Sequence, residues 1–201
     1  MEQELVTVID EEADRMVNLV TDAIELARIG TGPITLNKEL CTPEQLITSV
    51  VADLRPLLGG RQLTVNIAPD LPLLSADRKL SELVLRQLLS NALKYSFPDS
   101  PIEIKAEPRQ CLVAFQVSDA GPFISESEQN LIFTPYYRAP EVRARVPGTG
   151  MGLSISREIV EAQGGRIWVT SEVESGTHFI FTLPIAETET TDASSFRQAI
   201  V

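Results

Sequence analysis

The chain has 201 residues, 43% of them hydrophobic, and a formal net charge of -11. This length and apolar content are enough for one globular domain with a core, and they argue against a wholly disordered chain. The excess of 28 acidic over 17 basic residues repels a nucleic-acid backbone, so we expect no nucleic-acid partner.

An amphipathic helix is predicted for residues 5–29, where apolar residues recur at three- and four-residue spacing. Gly30 and Gly32, with Pro33 behind them, end it. Its apolar stripe must pack against the main domain, another helix or a second copy of the chain, and the pattern leaves these three open. We therefore separate a helical segment (1–32) from a main domain (33–185).

Strand and helix patterns alternate at the start of the main domain. "ITLNKELCT" and "RQLTVNIAP" have the period-two pattern of strands. "TPEQLITSVVADLRPLLGG" is typical of a helix with a Thr cap and Pro in its first turn. "DRKLSELVLRQLLSNALKYSF" predicts a second long helix, capped by Asp77.

The second half of the domain is richer in strands. Four are predicted, in "PIEIKAE", "CLVAFQVSD", "GRIWVTSE" and "GTHFIFTLP", and a helix over residues 152–163 precedes the third. Antiparallel strands mixed with helices indicate an α+β fold, a two-layer sandwich with helices on one face of a mixed, mainly antiparallel sheet. Residues 186–201 lose periodicity and are predicted to be a flexible tail.

Cysteine usage and the N-terminus suggest a compartment. Cys41 and Cys111 form neither a CxxC pair nor a disulfide framework, which suits a reducing environment. The first residues lack a secretory signal pattern, and no window is long and apolar enough to span a membrane. We expect a cytoplasmic chain without membrane contact.

The first chemical patch is "LLSNALKYS". On a helix, Asn91, Lys94 and Tyr95 lie three and four positions apart, so they can face one side. A Mg²⁺ ion held by a nucleotide takes few protein ligands, which a single Asn91 oxygen can satisfy, and Lys94 can neutralise phosphate. The alternative is a solvated polar face with an extended Lys94.

The second patch is "VSDAGPF". A β-rich run delivers Asp119 into a sharp turn that Gly121 permits, and this can present a buried carboxylate to an amino group of a ligand. Asp and Gly are also common turn residues, so an ordinary turn is the alternative.

The third patch, "LIFTPYYRAPEVRARVPG", joins aromatic residues to Arg138, Arg143 and Arg145. Such a long irregular segment is typical of a functional lid whose arginines contact phosphate, although an exposed connector has the same pattern. The fourth, "PGTGMGLSI", lacks a Walker ending and does not follow a strand. It remains a Gly-rich turn leading into a helix N-terminus, where free amides attract anions.

In this order, the four patches resemble the catalytic and ATP-binding domain of sensor histidine kinases, which belong to the Bergerat-fold ATPases. "LLSNALKYS" is similar to the N box, "DAGPF" to the first glycine box, "LIFTPYYRA" to the F box, and "GTGMGLSISREIVEAQGG" to the second glycine box. The N-terminal helix resembles the second helix of the dimerisation and phosphotransfer hairpin.

The resemblance implies ATP and Mg²⁺ as cofactors and a role for each matched residue. Asn91 would ligate magnesium, Lys94 and Arg138 would contact phosphates, and Asp119 would bind the adenine amino group. The remaining residues implied in nucleotide binding are Tyr95, Gly121, Phe133, Gly148, Thr149, Gly150, Met151, Gly152, Leu153 and Thr177. The implied protein partners are a phosphoacceptor histidine helix, of the parent protein or of another chain, and a response regulator. A homodimer through residues 5–29 is one of the open options for the N-terminal helix.

Three features depart from the family pattern. Gln87 stands where the N box commonly has an earlier Asn, and Phe123, after Pro122, replaces the last glycine of the first glycine box. A side chain and a fixed φ restrict close backbone approach at that turn. No histidine lies on the N-terminal helix, and His178 fits a strand position, so we do not expect this chain alone to phosphorylate itself.

Two functional hypotheses follow. The chain is either the catalytic part of a histidine kinase that phosphorylates a histidine outside this chain, or a degenerate nucleotide-binding or scaffold module that signals through helix association. An ATP-hydrolysing enzyme of the gyrase type is disfavoured because Glu82, the nearest carboxylate candidate, lies about two and a half turns before Asn91.

Overall fold

The computed structural model describes residues 34–143 and 148–186. The predicted helix over residues 5–29, the lid residue Arg145 and nearly all of the predicted tail lie outside these ranges.

Short strands and two long helices make up the first half of the described chain. They are β1 (Glu39–Cys41), α1 (Pro43–Leu54) with a 3₁₀ turn (Arg55–Leu58), β2 (Leu63–Ile67), β3 (Leu74–Ala76) and α2 (Arg78–Tyr95). The second half contains β4 (Ile102–Arg109), β5 (Leu112–Asp119), α3 (Glu126–Leu131), α4 (Pro140–Arg143), α5 (Gly152–Ala162), β6 (Ile167–Glu172) and β7 (Gly176–Pro184).

The main sheet has five strands in the order β2-β4-β5-β7-β6. β2 pairs with β4 in parallel, and the other neighbours are antiparallel. β1 and β3 form a separate antiparallel ribbon. The predicted mixed, mainly antiparallel sheet is confirmed.

Both predicted helix caps are confirmed. Thr42 Oγ1 accepts from the Gln45 N–H at 3.2 Å, and Gln45 Oε1 accepts from the Thr42 N–H at 3.0 Å. This is a capping box, which satisfies two backbone donors at the start of α1. Asp77 Oδ1 accepts from the Leu80 N–H at 3.1 Å at the start of α2, as the sequence predicts.

The core lies between one face of the sheet and the helices. Ile104, Phe115 and Phe181 point into it and are 0% exposed, and the two phenylalanine rings stack with centroids 4.9 Å apart. Val84 and Leu88 on α2 are also 0% exposed, because the apolar stripe of α2 packs on this face. The fold is the predicted α+β two-layer sandwich.

Three short elements are not predicted from the sequence. β3 has three residues, too few for a periodic pattern, and is a strand because it pairs with β1. The helices α3 and α4 occupy the segment predicted to be irregular. The sequence does contain one signal for α3, which is the pair Ser125 and Glu128 that forms a capping box at its start. Conversely, the strand predicted in "ITLNKELCT" is limited to Glu39–Cys41.

None of the helices within residues 34–143 and 148–186 combines the length and hydropathy that crossing a membrane requires.

Candidate functional site

The last turns of α2 carry the first polar group. Asn91 is buried, Tyr95 is half-buried and Lys94 is exposed. Gln87, one turn earlier, donates from Nε2 to Asn91 Oδ1 at 3.1 Å. Burial raises the pKa of the Tyr95 hydroxyl, and the positive charge of Arg138 opposes this increase. The helix end therefore presents an oriented amide beside an exposed ammonium group.

Asp119 ends β5 and is only 7% exposed. A Cβ on Gly121 would lie 2.5 Å from Asp119 Oδ1 and 3.5 Å from the Tyr95 backbone oxygen. Gly121 does not adopt a left-handed φ, so its contribution to the turn after Asp119 is the space that it leaves. The residue is glycine because a side chain would collide with the Asp119 carboxylate.

The environment of Asp119 keeps its carboxyl group near a protonation change. Burial raises its pKa to about 6, against the opposing effects of the Gly121 N–H hydrogen bond and the Arg61 charge. At neutral pH the group is a largely buried carboxylate, which is a suitable acceptor for an N–H group.

Two hydroxyl groups hold the turn that follows Asp119. Thr177, the β7 residue opposite Asp119, donates from Oγ1 to the Pro122 carbonyl at 3.3 Å. Ser171 Oγ lies 2.9 Å from Thr177 Oγ1 and accepts from the Ile124 N–H at 3.1 Å. The turn is thus anchored to β6 and β7, and Ser171 is a site-supporting residue that no sequence pattern indicated.

The ends of the predicted lid meet near Tyr95. Arg138 Nη1 donates to the Gly148 carbonyl at 3.0 Å, and the Tyr136 N–H donates to the Gly150 carbonyl at 3.0 Å. A Cβ on Gly148 would lie 3.9 Å from the Tyr95 hydroxyl. The two lid segments are therefore paired with each other and lie over the end of α2.

The start of α5 offers backbone amides. Met151 is the N-cap, and no side chain caps this helix end, so its first-turn N–H groups are available to an anion. The Met151 N–H itself donates to Thr149 Oγ1 at 3.3 Å. Met151 is buried and Leu153 is partly buried against the core, which fixes the direction of the helix start.

Phe133 and His178 are not among the residues that converge. Phe133 is 2% exposed, in the core, and the Arg157 guanidinium lies 4.5 Å from its ring centroid. It lines a groove of about 1020 Å³ beside β6, so its role in nucleotide binding stays a prediction. His178 lies in β7 opposite Ser118, which is the strand position that the sequence predicts.

Asn91 is compatible with a metal held by a nucleotide. Among the described residues, no cluster of three or more His, Cys, Asp or Glu side chains could hold an ion. The Asn91 amide oxygen accepts one hydrogen bond and keeps a second lone pair. One neutral ligand of this kind fits Mg²⁺, which keeps water and phosphate oxygens as its other ligands.

The family match gives the class of this sandwich domain, which is that of the ATPases. Residues 76–187, more than half of the chain, match the family described as "Histidine kinase-, DNA gyrase B-, and HSP90-like ATPase". The chain belongs to this family, and the resemblance seen in its sequence is confirmed.

Relatives and solved structures narrow the comparison to sensor kinases. The chain is 43% identical over 154 residues to the adaptive-response sensory kinase SasA of Synechococcus sp. (strain CC9311), covering 73% of this chain and 40% of SasA. Full-length ShkA in complex with AMPPNP has a TM-score of 0.77 and 25% identity, covering 92% of this chain and 40% of ShkA.

A further structure has the same fold. Histidine kinase ThkA, in complex with response regulator protein TrrA, has a TM-score of 0.75 at 24% identity, covering 92% of this chain and 52% of ThkA. The chain spans less than half the length of the first three curated relatives, between 40% and 49%.

Proposed function

We propose that this chain is the ATP-binding catalytic part of a two-component sensor histidine kinase, which transfers the γ-phosphoryl group of ATP to a histidine outside this chain. The observation that carries the proposal is the position of Tyr95 between two parts of the site. Its backbone oxygen lies 3.5 Å from a Cβ position on Gly121, and its hydroxyl lies 3.9 Å from one on Gly148. The end of α2 therefore joins the Asp119 turn to the lid.

The nucleotide would lie along this surface. The Asp119 carboxylate would accept a hydrogen bond from the adenine amino group, and Tyr95 would line the base. Lys94 and Arg138 would contact phosphates, together with the first-turn amides of α5. Mg²⁺, held by Asn91 and phosphate oxygens, would neutralise charge on the phosphates.

The transfer step needs mainly positioning and charge neutralisation. The lone pair of a neutral imidazole nitrogen attacks the γ-phosphorus, the bond from this phosphorus to the β–γ bridging oxygen breaks, and ADP leaves with the electron pair. The proton on the other imidazole nitrogen is then released to solvent. Neutral imidazole is nucleophilic near pH 7, so no strong base is required.

The degenerate binding module and the gyrase type of hydrolysis have less support. The matched relatives are named sensory or sensor kinases. Phe123 is 54% exposed, so its ring is not part of the core that supports Asp119. Glu82 is engaged by Arg78 in an ion pair of 2.9 Å, which supports a structural role for this carboxylate.

The same function implies partners and a location. We propose a response regulator as the acceptor of the phosphoryl group, in line with the ThkA complex. A homodimer through residues 5–29 and a cytoplasmic location, where ATP is available, complete the proposal.

Two measurements test the function. Isothermal titration calorimetry is expected to show binding of ATP with Mg²⁺, and Lys94→Met is expected to weaken this binding. The affinity for adenosine should change little in the variant, because Lys94 contacts only the phosphates in this arrangement. In the second measurement, this chain is mixed with ATP labelled in its γ-phosphoryl group and with a separate phosphoacceptor hairpin from a sensor kinase. The histidine of the hairpin is expected to become labelled. ATP binding without any transfer to the hairpins of several such kinases would favour the binding module instead.

A further inference from the structure

Arg61 is a partly buried arginine that the sequence did not single out. It follows Gly59 and Gly60, whose φ values of 57° and 94° turn the chain into β2. Among the described residues, its guanidinium group donates to groups at and just after the end of α2. The acceptors are the Leu93 carbonyl, the Ser96 hydroxyl, the Phe97 carbonyl, and the carbonyl and hydroxyl of Ser100.

Part of this set caps α2. The last carbonyl groups of a helix have no partner within the helix, and a cation placed there also interacts favourably with the helix dipole. Arg61 Nη1 donates to the Leu93 carbonyl at 3.3 Å, and Nη2 lies 2.5 Å from Ser96 Oγ. Ser96 in turn donates to the Ala92 carbonyl from both its N–H and its hydroxyl.

The rest of the set holds the loop after α2. Arg61 Nη2 donates to the Phe97 carbonyl at 3.0 Å and to Ser100 Oγ at 2.9 Å. The Phe97 N–H donates to the Ala120 carbonyl at 3.3 Å, and Ala120 directly follows Asp119. One guanidinium group therefore connects the helix of Tyr95 to the turn of Asp119.

We propose that Arg61 is a positioning residue of the nucleotide site, which holds the end of α2 and the Asp119 turn at the spacing that ATP requires. The proposal rests on the ATP-binding function proposed above. In this proposal, Arg61 acts through Leu93, Ser96 and Phe97 and does not contact the nucleotide itself. Its planar fork of five N–H donors reaches several acceptors in fixed directions, which the single ammonium group of a lysine cannot reproduce.

The charge of Arg61 provides a second measurable effect, which is separate from its hydrogen bonds. The positive charge of Arg61 lowers the pKa of Asp119, against the larger effect of burial. Losing this charge favours the protonated carboxyl group, which no longer accepts a hydrogen bond from the adenine amino group as a carboxylate does.

The test compares Arg61→Met and Arg61→Lys by calorimetry with ATP and Mg²⁺ between pH 5 and 8, well below the melting temperature of each variant. Arg61→Met is expected to weaken ATP binding about tenfold, the effect of losing hydrogen bonds from a charged group, and to move the pH midpoint of binding upward. Arg61→Lys keeps the charge, so weaker binding with a nearly unchanged midpoint is expected.

Arg86→Met is the matched control, because Arg86 lies on α2, the helix whose end Arg61 caps, and pairs with Asp53 at the surface. It is expected to bind ATP like the original chain. If both Arg61 variants bind ATP with unchanged affinity and midpoint and lose only thermal stability, the positioning role is overturned while the proposed function stands. If the original chain binds no ATP, both fail. Where Arg61→Met does not fold, the affinity of Arg61→Lys decides.

Discussion

Gln87 lies directly against Gly152: a Cβ on residue 152 would fall 2.3 Å from Gln87 Nε2. The same nitrogen donates to Asn91 Oδ1 at 3.1 Å. The start of α5 is therefore connected to the candidate magnesium ligand through one side-chain amide. The departure from the family pattern at Gln87 gives a longer side chain, and the glycine at 152 leaves room for it.

Gly152→Ala is expected to displace the Gln87 amide and to loosen the orientation of Asn91. Inserting a methyl group into a filled contact costs about 1–3 kcal/mol, partly offset because alanine favours a helix by roughly 1 kcal/mol over glycine. ATP affinity in the presence of Mg²⁺ should fall by more than affinity in its absence. Calorimetry with and without the metal measures this difference.

The double variant Gly152→Ala with Gln87→Ala supplies the control. Removing the Gln87 side chain relieves the collision. The loss of unfolding free energy in the double variant should therefore be smaller than the sum of the losses in the two single variants. Strict additivity in a denaturant titration would contradict the proposed contact.

Asp119→Asn is expected to stabilise the protein without nucleotide at pH 7. The carboxyl group titrates near 6 when folded and near its ordinary 3.8 when unfolded. Between these values the folded state binds more protons, so stability falls as pH rises. Above pH 6 the full cost of the buried charge, as much as about 3 kcal/mol, is present, and asparagine avoids it. Denaturant unfolding at pH 7 and pH 3.5 should show the gain only at pH 7.

The same titration predicts the pH dependence of ATP binding. Affinity should fall as pH drops through about 6, because the folded-state carboxylate becomes protonated there. Asp119→Asn should bind ATP weakly at every pH, since its amide presents N–H donors as well as an acceptor. A pH-independent affinity for the original chain would remove Asp119 from the adenine contact.

Gly150→Ala is expected to destabilise the paired lid segments. Gly150 has a φ of 78°, and a Cβ there would lie 2.9 Å from the Tyr136 carbonyl carbon and 2.9 Å from the Tyr137 carbonyl oxygen. Backbone strain of about 1–2 kcal/mol therefore adds to a collision with backbone atoms that cannot rotate away. We expect a large loss of ATP affinity in calorimetry, with unfolding measured in parallel.

Gly59→Ala separates the effect of backbone strain from the effect of the collision. Gly59 has a φ of 57°, and a Cβ there would meet nothing within 4 Å. This variant should show the loss of unfolding free energy that comes from backbone strain alone. Equal losses of unfolding free energy in both variants would show that the contact with residues 136 and 137 is unimportant.

Thr177→Val is expected to loosen the turn after Asp119. The substitution keeps the shape of a residue that is 2% exposed but removes the hydroxyl that bonds to Pro122 and Ser171. A lost buried hydrogen bond costs about 1–3 kcal/mol, and ATP affinity should fall with it. Thr170→Val, at an exposed position of β6, should change stability by about 0.5 kcal/mol or less. Similar losses in both variants would show that the Thr177 hydroxyl does not hold the turn.

Much of the fold could be predicted because its signals are local. The caps at Thr42 and Asp77 and the alternation in β5 and β7 involve residues within a few positions of one another, so they can be recognised without knowing the neighbours in space. β3 was missed because three residues contain no period and become a strand only through pairing with β1.

The residues of the candidate site also fall into those with local sequence signals and those that only the folded chain brings together. Asn91, Lys94, Asp119 and the glycines of residues 148–152 follow from motif and spacing, because each lies within four positions of a helix or strand boundary. The tertiary structure decided what holds them: the acceptors of Arg61 lie 32 to 39 positions away in sequence, and Thr177 lies 55 positions from Pro122. Hydrogen bonds of this range depend on which strands become neighbours, so they appear only when the chain is folded.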